Sequence, residues 1–372
     1  MSFPSRRDLI LGSLAGLAAS SLPSWAPAAE VRPPLRDLAM AKGLLYGTTV
    51  ADVQLFPGDD FTDLVVREAA CIVPENEMKW FLMSEHPDQA DYEVPDRMVK
   101  FAGDHELMFR GHNLLWYWKT PYWFQELPDR RASVQSMLRR IGDLAGRYKG
   151  RIHSWDVVNE PIRVEDGRGD YLRAAIFVEQ IGPEYLDLAY GAARAADPKA
   201  RLVFNEYDVE YDTPEQDQKR LAVLKVLEGM KARGTPVDVL GVQGHLTIGR
   251  HKMSDRKFRQ FLRDVAQMGL EIQITELDVS DELAPAGIPE RDRLIADEYR
   301  HFLDVALDEP AVRMVMTWGL SDRHSWIVRH ETNEMYWRQD GVDSRPLPFD
   351  AALQPKPAWE AIATALANAP KR

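Results

Sequence analysis

The chain has 372 residues, 45% of them hydrophobic, which supplies a large core and excludes wholesale disorder. Its formal net charge of -12 repels phosphate backbones, so nucleic acid is excluded as a natural partner and a neutral substrate fits better. With a single cysteine, Cys71, the chain can form neither an intramolecular disulfide nor a thiolate metal site.

The N-terminus reads as an export signal. A twin arginine, Arg6-Arg7, precedes an apolar stretch from Leu9 to Leu22, then Pro23 and the small-residue run Ala26-Pro27-Ala28-Ala29. The apolar part is shorter than the ~20 residues of a membrane-spanning helix. Residues 1–28 are therefore expected to be removed as a twin-arginine signal, with an ordinary secretory signal as the alternative. Residues 29–372 remain as one catalytic unit outside the cytoplasm. No later segment has the length and apolarity of a membrane span. The twin-arginine route carries folded proteins, which suits a chain with no disulfide to form.

Beyond the signal, short runs rich in Val, Ile and Leu alternate with helical patterns. The runs predict strands over Leu44–Thr49, Cys71–Glu75, Met108–Leu114, Ile152–Val158, Leu202–Tyr207, Val237–Gln243, Glu271–Glu276 and Arg313–Trp318. The intervening patterns predict helices over Asp63–Ala70, Pro95–Asp104, Arg131–Tyr148, Pro183–Ala196, Pro214–Arg233, Ser254–Met268, Glu290–Leu307 and Pro357–Ala367. Start signals stand at Asp212-Thr213-Pro214, Ile181-Gly182-Pro183 and Ile288-Pro289-Glu290. Strands buried on both faces read as continuous apolar runs, and eight β-α repeats point to a closed parallel (β/α)8 TIM barrel. An open doubly wound sheet is the rival. It usually carries a Gly-rich turn after its first strand, and Tyr46-Gly47-Thr48-Thr49 lacks one. The irregular segment from Thr332 to Pro348 is expected to pack over the barrel mouth.

Nearly every strand ends in groups that a core would not want: Glu75-Asn76 with Lys79-Trp80, His112-Asn113 with Trp116, Asn159-Glu160, Asn205-Glu206-Tyr207, Gln243-Gly244-His245, Thr275-Glu276-Leu277-Asp278, and Trp318 with Asp322 and Trp326. In a barrel these ends converge on the active-site face. Glu160 and Glu276 end strands that lie across that mouth from one another. Two carboxyl groups roughly 5–5.5 Å apart, one protonating the leaving oxygen and one attacking, are what retaining glycosidic cleavage requires. Asn159 can bond the sugar 2-hydroxyl. An anionic Glu276 raises the pKa of Glu160, and His245, oriented by Asp278, can keep Glu276 ionised. The ten tryptophans suit either sugar stacking or a large core.

At this point the residues resemble glycoside hydrolase family 10, the barrel xylanases. The resemblance rests on Pro74-Glu75-Asn76-Glu77-Met78-Lys79-Trp80, Gly111-His112-Asn113-Leu114-Leu115-Trp116, Trp155-Asp156-Val157-Val158-Asn159-Glu160-Pro161, Val242-Gln243-Gly244-His245, Ile274-Thr275-Glu276-Leu277-Asp278-Val279, and Trp318-Gly319-Leu320-Ser321-Asp322 with Ser325-Trp326. It implies a monomeric endo-1,4-β-xylanase acting on xylan or xylo-oligosaccharides without cofactor or metal. Glu160 would be acid/base and Glu276 nucleophile. Asn159, Gln243 and His245 would surround the scissile sugar. Glu75, Asn76 and Lys79 would hold the next sugar on the non-reducing side. His112, Trp116, Trp318 and Trp326 would line the cleft, and Tyr207 would border the leaving group.

Two departures stand out. Tyr117-Trp118-Lys119 occupies the place where the family commonly has His and, two residues on, Gln. Lys119 could favour substrates with an acidic uronic substituent, or be a solvated loop lysine. Pro74 replaces a common threonine. A metal-dependent barrel hydrolase would want paired histidines on one strand, and His112, His153 and His245 are scattered singly. A non-catalytic sugar-binding barrel could dispense with a carboxylate, and both are present. A β-1,4-glucanase would share the catalytic pair, so only the cleft motifs favour xylose.

Overall fold

In the computed structural model, residues 32–87, 89–328 and 338–372 are described. The expected export signal lies outside them, as does the 332–337 part of the segment expected over the mouth.

Within residues 34–372 eight strands run parallel: β1 (Leu45–Val50), β2 (Cys71–Pro74), β3 (Met108–Gly111), β4 (Ser154–Asn159), β5 (Arg201–Glu206), β6 (Val239–Val242), β7 (Glu271–Ser280) and β8 (Val312–Thr317). Each pairs with the next, and β8 pairs with both β7 and β1, which closes the sheet into a barrel. Parallel neighbours need a crossover. The crossovers contain α1 (Asp60–Glu68), α2 (Glu93–Asp104), α3 (Arg130–Arg147), α4 (Tyr185–Ala196), α5 (Pro214–Ala232), α6 (Asp255–Gln267) and α7 (Ile288–Ala306), and α8 (Pro357–Asn368) follows β8. A shorter helix, Leu35–Met40, precedes β1.

Local chemistry sets the helix starts. The Asp59 side chain accepts from Phe61 N before α1, and Asp129 accepts from Ala132 N before α3. Thr213 accepts from Gln216 N with Pro214 in the first turn of α5. Pro183 instead lies in a turn closed by Tyr185 N donating to Gly182 O at 3.1 Å, so α4 begins two residues later than its start signal suggests.

The strands are apolar because both faces are covered: every residue of β4 is buried, and all but the first of β7. Arg110 and His112, two apart and so on one face, both reach Asp156 on the neighbouring β4. Arg110 pairs with it in a fully buried salt bridge, and His112 Nδ1 donates to it at 2.7 Å. Arg110 Nε also donates to Gln273 Oε1 at 3.3 Å on β7.

Two short strand segments at the mouth differ from the expectation. The third strand does not run on to Leu114. It stops at Gly111, and pairing resumes at Leu115–Trp116 against Val158 and Asn159. A second segment, His245–Thr247, pairs with Asp278–Ser280. These registers set Trp116 beside Asn159 and His245 beside Asp278. The described part of the late irregular segment is fastened to the chain after β7. Arg338 donates to Ala284 O at 3.0 Å, Arg345 pairs with Asp292, and Tyr299 OH on α7 donates to Pro346 O at 2.8 Å.

Candidate active site

Glu160 follows the last residue of β4 with φ 56°, in the left-handed region. For a residue with a side chain this conformation costs about 1–2 kcal/mol, and it persists only where the surroundings hold it. Here Glu160 N donates to Asn205 O at 2.9 Å, and Arg173 Nε donates to Glu160 O at 3.0 Å. The side-chain Oε1 accepts from Asn159 Nδ2 at 3.3 Å and Gln243 Nε2 at 3.2 Å.

Glu276 lies inside β7, its N–H donating to Gln243 O at 2.9 Å. Its Oε1 accepts from Asn205 Nδ2 at 2.7 Å, and its Oε2 accepts from His245 Nε2 at 3.3 Å. Asn205 Nδ2 also donates to Asn159 Oδ1 at 2.7 Å, and Thr275 Oγ1 donates to Asn205 Oδ1 at 2.7 Å. A continuous run of hydrogen bonds therefore joins the two carboxylates through Asn159 and Asn205. Asn205 has room for this because Gly241 is its register partner on β6. A Cβ at Gly241 would lie 2.2 Å from Asn205 Oδ1.

The two glutamates are driven in opposite directions. Burial alone would raise the Glu276 pKa, but the His245 hydrogen bond, with His112 and Arg110 adding to it, brings it down to about 2. Glu160 is raised, first by burial and then by repulsion from Glu276, against the opposing side chains of Trp116, Gln243 and Arg173. His245 itself sits between two carboxylates, its Nδ1 donating to Asp278 Oδ1 at 2.8 Å. Burial opposes its charge, yet Asp278 and Glu276 hold it well above the usual imidazole range. Both ring nitrogens then carry protons. Trp326 Nε1 donates to the other oxygen of Asp278 at 2.7 Å. The arrangement thus supplies one carboxylate held ionised and another biased toward its acid form.

Of the residues singled out from sequence, Glu160, Glu276, Asn159, Gln243, His245, Asp278 and Trp326 fall into this one bonded group. A second group adjoins it. Lys79 Nζ donates to Asn76 Oδ1 at 2.9 Å and lies 4.9 Å from the Trp116 ring centroid, and Asn76 Nδ2 donates to Glu75 Oε1 at 3.3 Å. Burial lowers the Lys79 pKa, and Glu75 and Glu276 oppose that. Trp318 packs edge-on to both His112 and His245, at 5.3 and 6.3 Å between centroids. Tyr207 stands outside the bonded groups. Its hydroxyl accepts from Arg173 Nη2 at 2.9 Å, and Lys219 Nζ lies 4.1 Å from its ring centroid. Arg173 is its link to Glu160.

Sequence reasoning gave no role to Asn205, Thr275, Arg173, Arg110 or Asp156. Asn205 and Asp156 did carry a signal, a polar side chain in an otherwise apolar strand. Arg173 carried none. Among the described residues no group of three or more His, Cys, Asp or Glu side chains is placed to hold a metal ion.

Known proteins are similar to this chain in sequence and fold. The family model described as "Glycosyl hydrolase family 10" matches residues 34–365. "Endo-1,4-beta-xylanase B" of Thermotoga neapolitana is 30% identical over 335 residues, covering 88% of this chain and 90% of that protein. "Endo-1,4-beta-xylanase 2" of Claviceps purpurea is 29% identical over 355 residues, covering 95% of this chain and 98% of that protein. Among solved structures, native xylanase 10B from Thermotoga maritima superposes with a TM-score of 0.79 at 28% identity, over 90% of this chain and 98% of its own. Xylanase 10B from Thermotoga petrophila, in complex with xylobiose, gives 0.80 at 28% identity, over 90% and 97%. With its closed barrel and a match over most of its length, the chain belongs to glycosyl hydrolase family 10.

Proposed function

We propose that this protein hydrolyses β-1,4-xylosidic bonds of xylan and xylo-oligosaccharides with retention, Glu160 acting as acid/base and Glu276 as nucleophile. The observation that carries the assignment is the opposed environment of two linked glutamates: Glu276 held at about 2, Glu160 pushed up. In the first step Glu160 gives its proton to the glycosidic oxygen while Glu276 attacks the anomeric carbon. The leaving sugar departs as an alcohol and a glycosyl ester remains. In the second step the Glu160 carboxylate takes a proton from water, whose oxygen displaces Glu276. Esterification removes the negative charge that, after burial, raised Glu160, so its pKa falls when a base is needed.

The remaining contacts belong to the same reading. Asn159, held by Asn205, bonds the sugar 2-hydroxyl. Glu75, Asn76 and Lys79 hold the next sugar on the non-reducing side. His112, Trp116, Trp318 and Trp326 line the cleft, and Tyr207 borders the leaving group. The names of the relatives support xylan over cellulose, since the catalytic pair serves both polymers. The enzyme is taken to act as a monomer without metal or cofactor. Residues 1–28 are taken as a twin-arginine export signal on the strength of Arg6-Arg7 and the apolar stretch after it. Replacing both arginines with lysine should then retain the chain in the cytoplasm.

The deciding experiment uses an aryl xylobioside. Glu276→Ala should abolish turnover. Glu160→Ala should still form the xylobiosyl-enzyme from this activated substrate, stall there, and resume when azide attacks in place of water, giving a β-xylobiosyl azide. No azide product from Glu160→Ala would remove Glu160 from the acid/base role.

A further inference from the structure

Next to the Lys79–Trp116 group lies a second lysine on a second tryptophan. Trp118 is 62% exposed, and its ring lies 5.4 Å from that of Trp116 at 80°. Lys119 Nζ lies 4.9 Å from the Trp118 centroid. The two lysines sense one another: burial chiefly lowers the Lys79 pKa, and the charge of Lys119 lowers it further. Their surroundings differ. Lys79 is buried, bonded to Asn76 and balanced by Glu75 and Glu276. Lys119 has no carboxylate partner among the described residues, in a chain whose acidic side chains outnumber its basic ones by 58 to 46. A neutral sugar chain gives this ammonium nothing to neutralise it, whereas a carboxylate on the sugar chain would.

We propose that Trp118 and Lys119 form an accessory subsite beyond the Lys79 sugar, at which the Trp118 indole carries a backbone xylose and the Lys119 ammonium pairs with a uronic acid substituent. The subsite rests on the reading of the protein as a xylanase. It makes the enzyme selective for acidic, decorated xylan over the bare chain. The attraction is that of a solvent-accessible ion pair, up to about 1 kcal/mol, or roughly fivefold in kcat/KM. Such a pair is screened by salt.

The test compares three substrates: a xylo-oligosaccharide bearing glucuronic acid, the same compound with its carboxyl reduced to the alcohol, and bare xylotetraose. The reduced compound keeps the shape and loses the charge. For the wild-type protein the acid-to-alcohol ratio of kcat/KM should be roughly five at low salt and approach one at high salt. Lys119→Gln should give a ratio near one at both salt levels, and Lys119→Arg should restore most of the preference. A ratio that is the same in wild type and Lys119→Gln overturns the subsite, and leaves Lys119 a solvated loop residue. The salt series on the wild type tests the point without any variant. Failure of the wild type to cleave bare xylotetraose would count against the xylanase reading instead, so the two failures are told apart.

Discussion

Removing the imidazole of His245 tests the electrostatic account directly. Its Nε2 donates to Glu276 at 3.3 Å, and it is the strongest influence holding that carboxylate ionised against burial. A hydrogen bond to a charged partner contributes about 1.5–3 kcal/mol, and one pKa unit corresponds to about 1.36 kcal/mol. His245→Ala should therefore raise the Glu276 pKa by about 1–2 units. From about 2 in the wild type it would move to roughly 3–4. Glu276 works only when ionised, so activity is lost as pH falls through its folded-state pKa. Raising that value moves the loss to higher pH. The acid limb of kcat/KM against pH reports groups of the free enzyme. It should shift up by about 1–2 units, while the alkaline limb, set by Glu160, moves far less. Stability shares the sign. A depressed carboxylate stabilises the fold above its unfolded pKa, and that contribution fades as pH falls toward about 2. Circular dichroism at each pH therefore separates titration from acid unfolding. An acid limb that stays put in a folded His245→Ala protein would refute the assignment of His245 as the group holding Glu276 ionised.

Glu276→Gln should lower the Glu160 pKa, because the repulsion from Glu276 disappears while burial remains; a carbon-13 titration of the Glu160 carboxyl reads this, and an unchanged or higher value contradicts the coupling. Gly241→Ala places a Cβ 2.2 Å from Asn205 Oδ1, so overpacking should cost about 1–3 kcal/mol and lower both Tm and kcat as Asn205 is displaced. Arg110→Met leaves Asp156 buried without its cation, at a cost of about 3–5 kcal/mol, measurable by denaturant unfolding, and Asp156→Asn in the same chain should recover part of it.

The barrel was legible because its strands are covered on both faces and so read as unbroken apolar runs, with Glu160 and Glu276 standing out as carboxylates where the runs end. What escaped is what depends on partners distant in the chain. Asn205 is one more polar residue at a strand end until Gly241 opposite it and Thr275 on β7 are known to leave it a single orientation. Arg110 is a charge inside an apolar run, and its partner lies 46 residues on, across a strand pair. Arg173 sits in a loop with no periodicity to mark it, 13 residues past the glutamate whose backbone it holds. Strand ends moved for a similar reason: Leu115–Trp116 rejoins the sheet against Val158 and Asn159, partners distant in the chain that the local sequence does not encode.

The same dependence on distant partners explains how two chemically identical side chains come to hold opposite charge states. Glu276 is buried and Glu160 partly so, and the loss of solvent alone would raise both. The difference is made by what each faces. Glu276 has an imidazolium at hydrogen-bond range and feels the guanidinium of Arg110 from inside the barrel. Glu160 is met by the neutral amides of Asn159 and Gln243 and feels the repulsion of Glu276. Asn205, bonded toward both, carries no charge of its own, so it fixes their relative position without pulling their pKa values together. A cationic residue in its place would stabilise both anions at once and remove the proton that Glu160 has to give. An acidic one would push Glu276 toward protonation and silence the attack. Within this ring of partners a neutral amide keeps the acid and the nucleophile both near and unlike.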